Sequence, residues 1–183
     1  MSLVKIQGNA SGTGTLTIAA PNTNSDRTLT LPDATGTVAL QGGTGVGKVL
    51  QVVQGSLQTL ASSTSATYAS TGLEATITPT SSSSKVLVLI TAWCRKEGGS
   101  YMGLKLYKNG SSIAAFAAGL LYTANTNTND GAGSFNYLDS PATTSSTTYT
   151  LYFANTPATG TVKINSDGSG NSYSTITLLE IAA

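Results

Sequence analysis

Residues 42–49 read GGTGVGKV, one residue short of the phosphate-binding pattern G-x-x-x-x-G-K-[ST]. Gly42, Gly47 and Lys48 are in register, but Val49 stands where a hydroxyl would hold magnesium. A phosphate loop also needs a helix behind it, whose N-terminus receives the anion. The β-branched residues and Gly55 of VLQVVQGSLQTL (49–60) favour extended chain instead, and no apolar strand ending in Asp follows. The stretch reads as a flexible joint between two β modules, with Lys48 solvated. Asn165-Ser-Asp167-Gly-Ser169-Gly170 opens like a calcium loop, yet Ile176 occupies the twelfth place, where a bidentate acid belongs. An exposed hairpin loop is expected there. Cys94 is the single cysteine and histidine is absent, so no base exists to activate the thiol and no intrachain disulfide can form. A buried structural thiol is expected. The eight acidic residues form no cluster suited to hydrolysis. Asp139 in YLDSPA reads as a turn former and Arg95-Lys96-Glu97 as a solvated loop of charges. No enzyme activity, cofactor or metal is expected.

The composition points the same way. Charged residues are 9% of the 183, and the net charge is +1, against about 25% charged in ordinary soluble domains. No basic stripe is present to track phosphates, so nucleic acid is not an expected partner. No apolar run approaches the roughly 18 residues of a spanning helix, and membrane insertion is not expected. MSLVKIQGNASG at the start lacks the apolar core of a secretory signal, which implies synthesis in a cytoplasm. Thr, Ser, Gly, Asn and Ala replace charge, and a near-neutral chain of this kind gains solubility by packing into an assembly.

The elements that must position these residues are strands. Thr, Val, Ile and Tyr dominate, and Gly, Asn, Ser or Pro interrupts them at short intervals, the pattern of an all-β protein. Residues 1–41 form one segment of short alternating stretches carrying Leu16, Ile18, Leu29, Leu31, Val38 and Leu40, with an echo of TLTIAAP (15–21) in TLTLPDA (28–34). Each stretch offers two large apolar groups, too few to fold alone, so this β-repeat is expected to wrap with sister copies and to serve as stem or anchor. Residues 42–48 are a Gly-rich hinge. Residues 49–183 suffice for a two-sheet sandwich, with strands expected at 49–54, 57–61, 66–71, 73–78, 85–93, 101–108, 111–118, 133–138, 147–154, 160–165 and 173–181. YMGLKLYKNGSSIAAFAAG is the best-defined hairpin, with Met102, Leu104 and Leu106 on one face and Asn109-Gly110 at its turn. VLVLITAW (86–93) is apolar on both faces and is expected to be a central strand covered on both sides. YSTITLLEI ends the chain on a strand, which implies a terminus tied into a sheet.

Several stretches carry a family resemblance. IQGNASGTGTLTIAAPNTNSDRTLTLPDATGTVAL resembles sequence repeated in tail-fibre-like and other virion proteins of tailed bacteriophages. GLEATITP (72–79), SSSSKVLVLITA (81–92), FNYLDSPATTSSTTYTLYF (135–153) and STITLLEI (174–181) resemble a phage C-terminal β domain, similar in layout to trimeric jelly rolls of the complement-C1q and tumour-necrosis-factor type. That resemblance implies a jelly-roll head of residues 49–183 in an intertwined homotrimer on the phage particle. The sequence begins almost directly with the repeat, without a large adaptor domain, so a capsid decoration protein or a short fibre is expected. It would dock to capsid or tail proteins through Leu16, Ile18, Leu29, Leu31, Val38 and Leu40. The alternative is a receptor-binding head in which exposed tyrosines among Tyr68, Tyr101, Tyr107, Tyr122, Tyr137, Tyr149, Tyr152 and Tyr173 stack on host surface glycans.

Overall fold

The computed structural model describes residue 11 and residues 24–26, 48–123, 127–165 and 172–183. The chain divides into two units, Met1–Ala39 and Leu40–Ala183. Leu16, Ile18, Leu29, Leu31, Val38 and Leu40 lie outside the described residues, as do 42–47 of the glycine-rich stretch and 166–170 of the calcium-like loop.

Among the described residues the second unit has ten strands: β1 Val49–Leu57, β2 Ala61–Ser63, β3 Ala69–Ile77, β4 Lys85–Glu97, β5 Ser100–Lys108, β6 Ser111–Thr123, β7 Thr128–Asp139, β8 Thr147–Thr156, β9 Thr161–Ile164 and β10 Ser174–Ile181. The alternating pattern locates nearly all of them, and the departures have local causes. The expected break at Gly72 is instead an irregularity inside one strand. Gly72 takes φ 81° where the pairing of β3 with β8 shifts between Ser70 and Glu74. Val49, the misfit in the phosphate-loop pattern, opens β1 opposite Ile181, and the Lys48 carbonyl accepts the Ala182 amide at 2.9 Å.

The strands form two antiparallel sheets packed as a β-sandwich. One has the order β1-β10-β4-β9-β2, with β7 on the other side of β4; the second runs β3-β8-β5-β6. Its thirteen residues make β4 long enough to be flanked by β10 along Lys85–Thr91 and by β9 along Cys94–Glu97. The pairs β1/β10, β3/β8, β4/β7 and β5/β6 are nested in sequence, so the two ends of the unit meet in the same sheet and the C-terminal strand is tied in on both sides.

The core lies between the sheets. Val86, Val88, Ile90 and Ala92 of β4 face Met102, Leu104 and Leu106 of β5, with Leu73, Ile77, Leu151, Phe153, Ile176 and Leu178 completing it. The period of two in each strand puts these side chains on one face. At the β5–β6 turn Asn109 and Gly110 take φ 47° and 81°, the double left-handed geometry that Asn-Gly supplies with little strain. The Asn109 carboxamide also accepts the Thr148 amide at 2.8 Å, stitching the turn to β8.

Arg95-Lys96-Glu97 is not a solvated loop. It is the last turn-free stretch of β4, and Lys96 points into the sandwich and is completely buried. Its ammonium donates to the carbonyls of Glu97 at 2.6 Å, Gly98 at 2.9 Å and Thr159 at 2.9 Å. All three protons are thereby used, which is how a buried ammonium is tolerated. Burial pulls its pKa down, and the Glu97 carboxylate works against that shift. Asn155, also fully buried, donates to the carbonyls of Thr159 at 3.0 Å and Gly160 at 2.8 Å. These two side chains close one end of the sandwich. Outward from β4, Arg95 pairs with Asp130 at 3.0 Å and Glu97 with Lys163 at 2.7 Å. The first joins β4 to β7 and the second joins β4 to β9, and with this pairing β4 and β7 run four to five residues beyond the limits that charge and glycine suggest.

Candidate functional site: the outer face of the six-stranded sheet

The outward side chains of β1, β10, β4 and β7 fall into register. Val52 stands opposite Leu179, Leu179 opposite Leu87, and Leu87 opposite Leu138. Four aliphatic side chains thus cross four strands in one row, about 14 Å long at the spacing of paired strands. The next row is Gln54, Thr177, Leu89 and Asn136, and Gln54 donates to the Thr177 hydroxyl at 2.9 Å. The third is Ser56, Thr175, Thr91 and Ser134. Trp93 opposite Ala132 comes next on β4 and β7, and the Arg95–Asp130 pair ends the face. The face therefore grades from aliphatic through uncharged polar to ionic.

The expectation that VLVLITAW is covered on both sides is met on one side only. Val86, Val88, Ile90 and Ala92 are buried, whereas Leu89 is 40% and Trp93 38% exposed. At the ends of the aliphatic row Val52 is 59% and Leu138 52% exposed.

Directly beneath the row the inward residue of β10 is a carboxylate. Glu180 is completely buried and accepts Gln51 Nε2 at 2.7 Å and both the amide and the hydroxyl of Thr80 at 2.7 Å. Burial alone would raise its pKa; the donors Gln51, Ser84 and Thr80 overcome that and bring it to about 2. Ser84 contributes by proximity, since its hydroxyl lies outside strict hydrogen-bond geometry. The carboxylate fastens β10 to β1 and to the segment after β3, holding the outward Leu179 and Ile181 in place. Its role is not legible in sequence, where it stands merely as an acid near the chain end.

The remaining candidate residues are structural. Cys94 is fully buried; burial pushes its thiol pKa up to about 12, against the pull of the Gly133 amide. A thiol held neutral in this way is no nucleophile. Asp139 is not a turn residue but the buried end of β7. It accepts the Tyr149 hydroxyl at 2.7 Å and the Lys108 ammonium at 2.8 Å. Burial and that hydrogen bond both raise the Tyr149 pKa. Asn165, the first residue of the calcium-like stretch, is fully buried with φ 57°. It donates to the Leu57 carbonyl at 2.7 Å and accepts the Ser174 hydroxyl at 2.7 Å, so its carboxamide oxygen is already engaged. Among the described residues no group of three His, Cys, Asp or Glu side chains could hold a metal ion.

No family model and no curated protein matches the chain. Among solved structures, the chain is distantly similar to the protein of infectious bursal virus derived T=1 particles, with 13% identity and a TM-score of 0.40 over 81% of this chain and 41% of that one. The protein of the infectious bursal disease virus Gx strain gives 14% identity and a TM-score of 0.38 over 74% and 37%. Dimeric latent PorU from Porphyromonas gingivalis gives 10% and 0.33 over 79% and 14%. The chain spans less than half of each of these proteins.

Proposed function

We propose that this protein is a structural component of a phage virion, a non-enzymatic homotrimer whose copies meet through the outer face of the six-stranded sheet. The observation that carries this reading is the row Val52, Leu179, Leu87 and Leu138 across four strands, which no described residue covers at its ends: Val52 is 59% and Leu138 52% exposed, while Leu179 and Leu87 are half-buried. Covering a Val or Leu side chain is worth about 1.5–3 kcal/mol, so the row supplies several kcal/mol per copy. Uncharged Gln54, Thr177, Asn136 and Ser134 beside it can pair across a contact without a desolvated charge. The nested strand pairing supports a jelly roll, and the resemblance to trimeric phage β domains supports three copies rather than two. In this reading residues 1–41 dock to capsid or tail proteins through Leu16, Ile18, Leu29, Leu31, Val38 and Leu40, and residues 49–183 project from the particle as decoration or short fibre.

Sedimentation of the full chain tests the assembly, with three times the single-chain mass expected at micromolar concentration. A stable single-chain mass overturns it. Labelling of intact particles with an antibody to the head tests the location, and absence of label from purified particles would end the virion reading.

A further inference from the structure

The opposite side of the sandwich, the outer face of the four-stranded sheet, carries a different chemistry. Its outward residues on β5 are Tyr101, Gly103, Lys105 and Tyr107, and Lys105 stands opposite Tyr152 of β8. The Tyr107 and Tyr152 rings stack with centroids 3.7 Å apart and planes within 15°. Tyr68 lies across Gly103 so closely that a Cβ there would collide with its hydroxyl oxygen, and the Lys105 ammonium sits 4.3 Å from the Tyr68 ring centroid. Further along the same face Tyr101 and Tyr122 meet at 5.0 Å, 40% and 57% exposed.

The ammonium is the telling group. Among the described residues the ion pairs use Arg95, Lys108 and Lys163, and none uses Lys105. Lys105 is held over an aromatic face without an ion pair of its own, and Glu74, the carboxylate of this face, accepts the Thr150 hydroxyl at 3.2 Å instead. A partner for this face needs an anionic group for Lys105, an apolar ring face for the tyrosines, and hydroxyls for the phenols. A sugar acid has all three. A nucleic acid strand fits poorly, because a lone lysine on the outward side of β5, on a chain of net charge +1, makes no phosphate track. Tyr101 and Lys105 are four residues apart on β5, about 13 Å at the strand rise, the reach of a short oligosaccharide.

We propose that this face binds a short acidic oligosaccharide, its carboxylate on Lys105, one ring against Tyr68, Tyr107 and Tyr152, and a further ring toward Tyr101 and Tyr122. The site uses none of the self-association residues, so either proposal can fail alone.

The test is calorimetric titration of the full chain with trigalacturonate, and with maltotriose as the uncharged control. Saturable binding of trigalacturonate alone is expected, weakening with added salt. Lys105→Gln should reduce affinity about tenfold or more, and Tyr152→Ala should do likewise, with solution mass and folded spectrum unchanged. Lys105→Gln is the decisive variant, since the half-buried side chain joins no ion pair among the described residues and the fold should tolerate the change. Absence of saturable trigalacturonate binding at millimolar concentration, equal binding of maltotriose, or unchanged affinity in Lys105→Gln would each overturn the proposal.

Discussion

The two outer faces of the sandwich solve the same problem differently. Each sheet has one side committed to the core and one side turned away. On the four-stranded sheet the outward residues cover one another: Tyr68 lies over Gly103, Tyr107 packs on Tyr152, and Lys105 caps Tyr68. On the six-stranded sheet the row Val52, Leu179, Leu87 and Leu138 has no such cover among the described residues, and its ends are more than half exposed. Aromatic side chains with a polar tip can face water and one another at once, whereas aliphatic ones in a row gain only from being covered. One face is largely covered by its own side chains; the other, under the proposed function, is covered by sister copies.

The contrast is broken most forcefully by placing a charge in the aliphatic row. Val52→Asp or Leu138→Asp alters a side chain that is more than half exposed in one chain, so the single chain should keep its thermal stability to within about 0.5 kcal/mol. In an assembly the same charge would be buried without a partner at a cost of about 3 kcal/mol or more per copy. Light scattering should show the mass falling to that of one chain. A variant that keeps its assembled mass would mean the copies meet elsewhere.

Next in size is the carboxylate under that row. Glu180→Gln should cost about 3 kcal/mol at neutral pH, the value of bringing a carboxyl from 4.5 to about 2. The sign follows from the lowered folded pKa: the contribution is complete above about pH 4.5 and is lost as pH falls toward 2. Urea unfolding between pH 7 and pH 2 should therefore show the wild type converging on the variant in acid. A gap that stays constant down to pH 2 would remove Glu180 from the account of acid stability.

Lys96→Met tests the ionic end of the same sheet. It strands three carbonyls and should cost about 2–3 kcal/mol in chemical denaturation without changing the assembled mass, because the side chain faces inward. The smallest effect is on the opposite face. Tyr152→Ala removes a stacked ring worth about 1 kcal/mol beyond its area, and the thermal midpoint should drop modestly with the mass again unchanged. Loss of assembly in Tyr152→Ala would exchange the roles assigned to the two faces.

Much of this architecture is visible in the chain before folding. Alternation places Met102, Leu104 and Leu106 on one side of β5, and Asn109-Gly110 fixes the turn that follows. Strand ends are less visible. Arg95-Lys96-Glu97 and the Asn-Asp-Gly run at 129–131 have the composition of loops, and they extend β4 and β7 only because they pair with each other. Asp139 has a turn former's neighbours, Ser140 and Pro141, but its place is decided by Tyr149 and Lys108. Asn165 begins a metal-like spacing, and its oxygen is claimed by Ser174. In each case the deciding partner lies on another strand.

The face proposed for self-association shows the same division. That β4 is apolar on both sides follows from VLVLITAW alone, because side chains alternate along any strand. Which side is left uncovered does not. It depends on β1, β10 and β7 arriving beside β4 in the registers that align Val52, Leu179 and Leu138 with Leu87. A slip of one residue in any of them would send that strand's apolar groups to the opposite face. Sequence periodicity sets how many apolar faces a strand has; pairing between distant segments sets which of them a partner must cover.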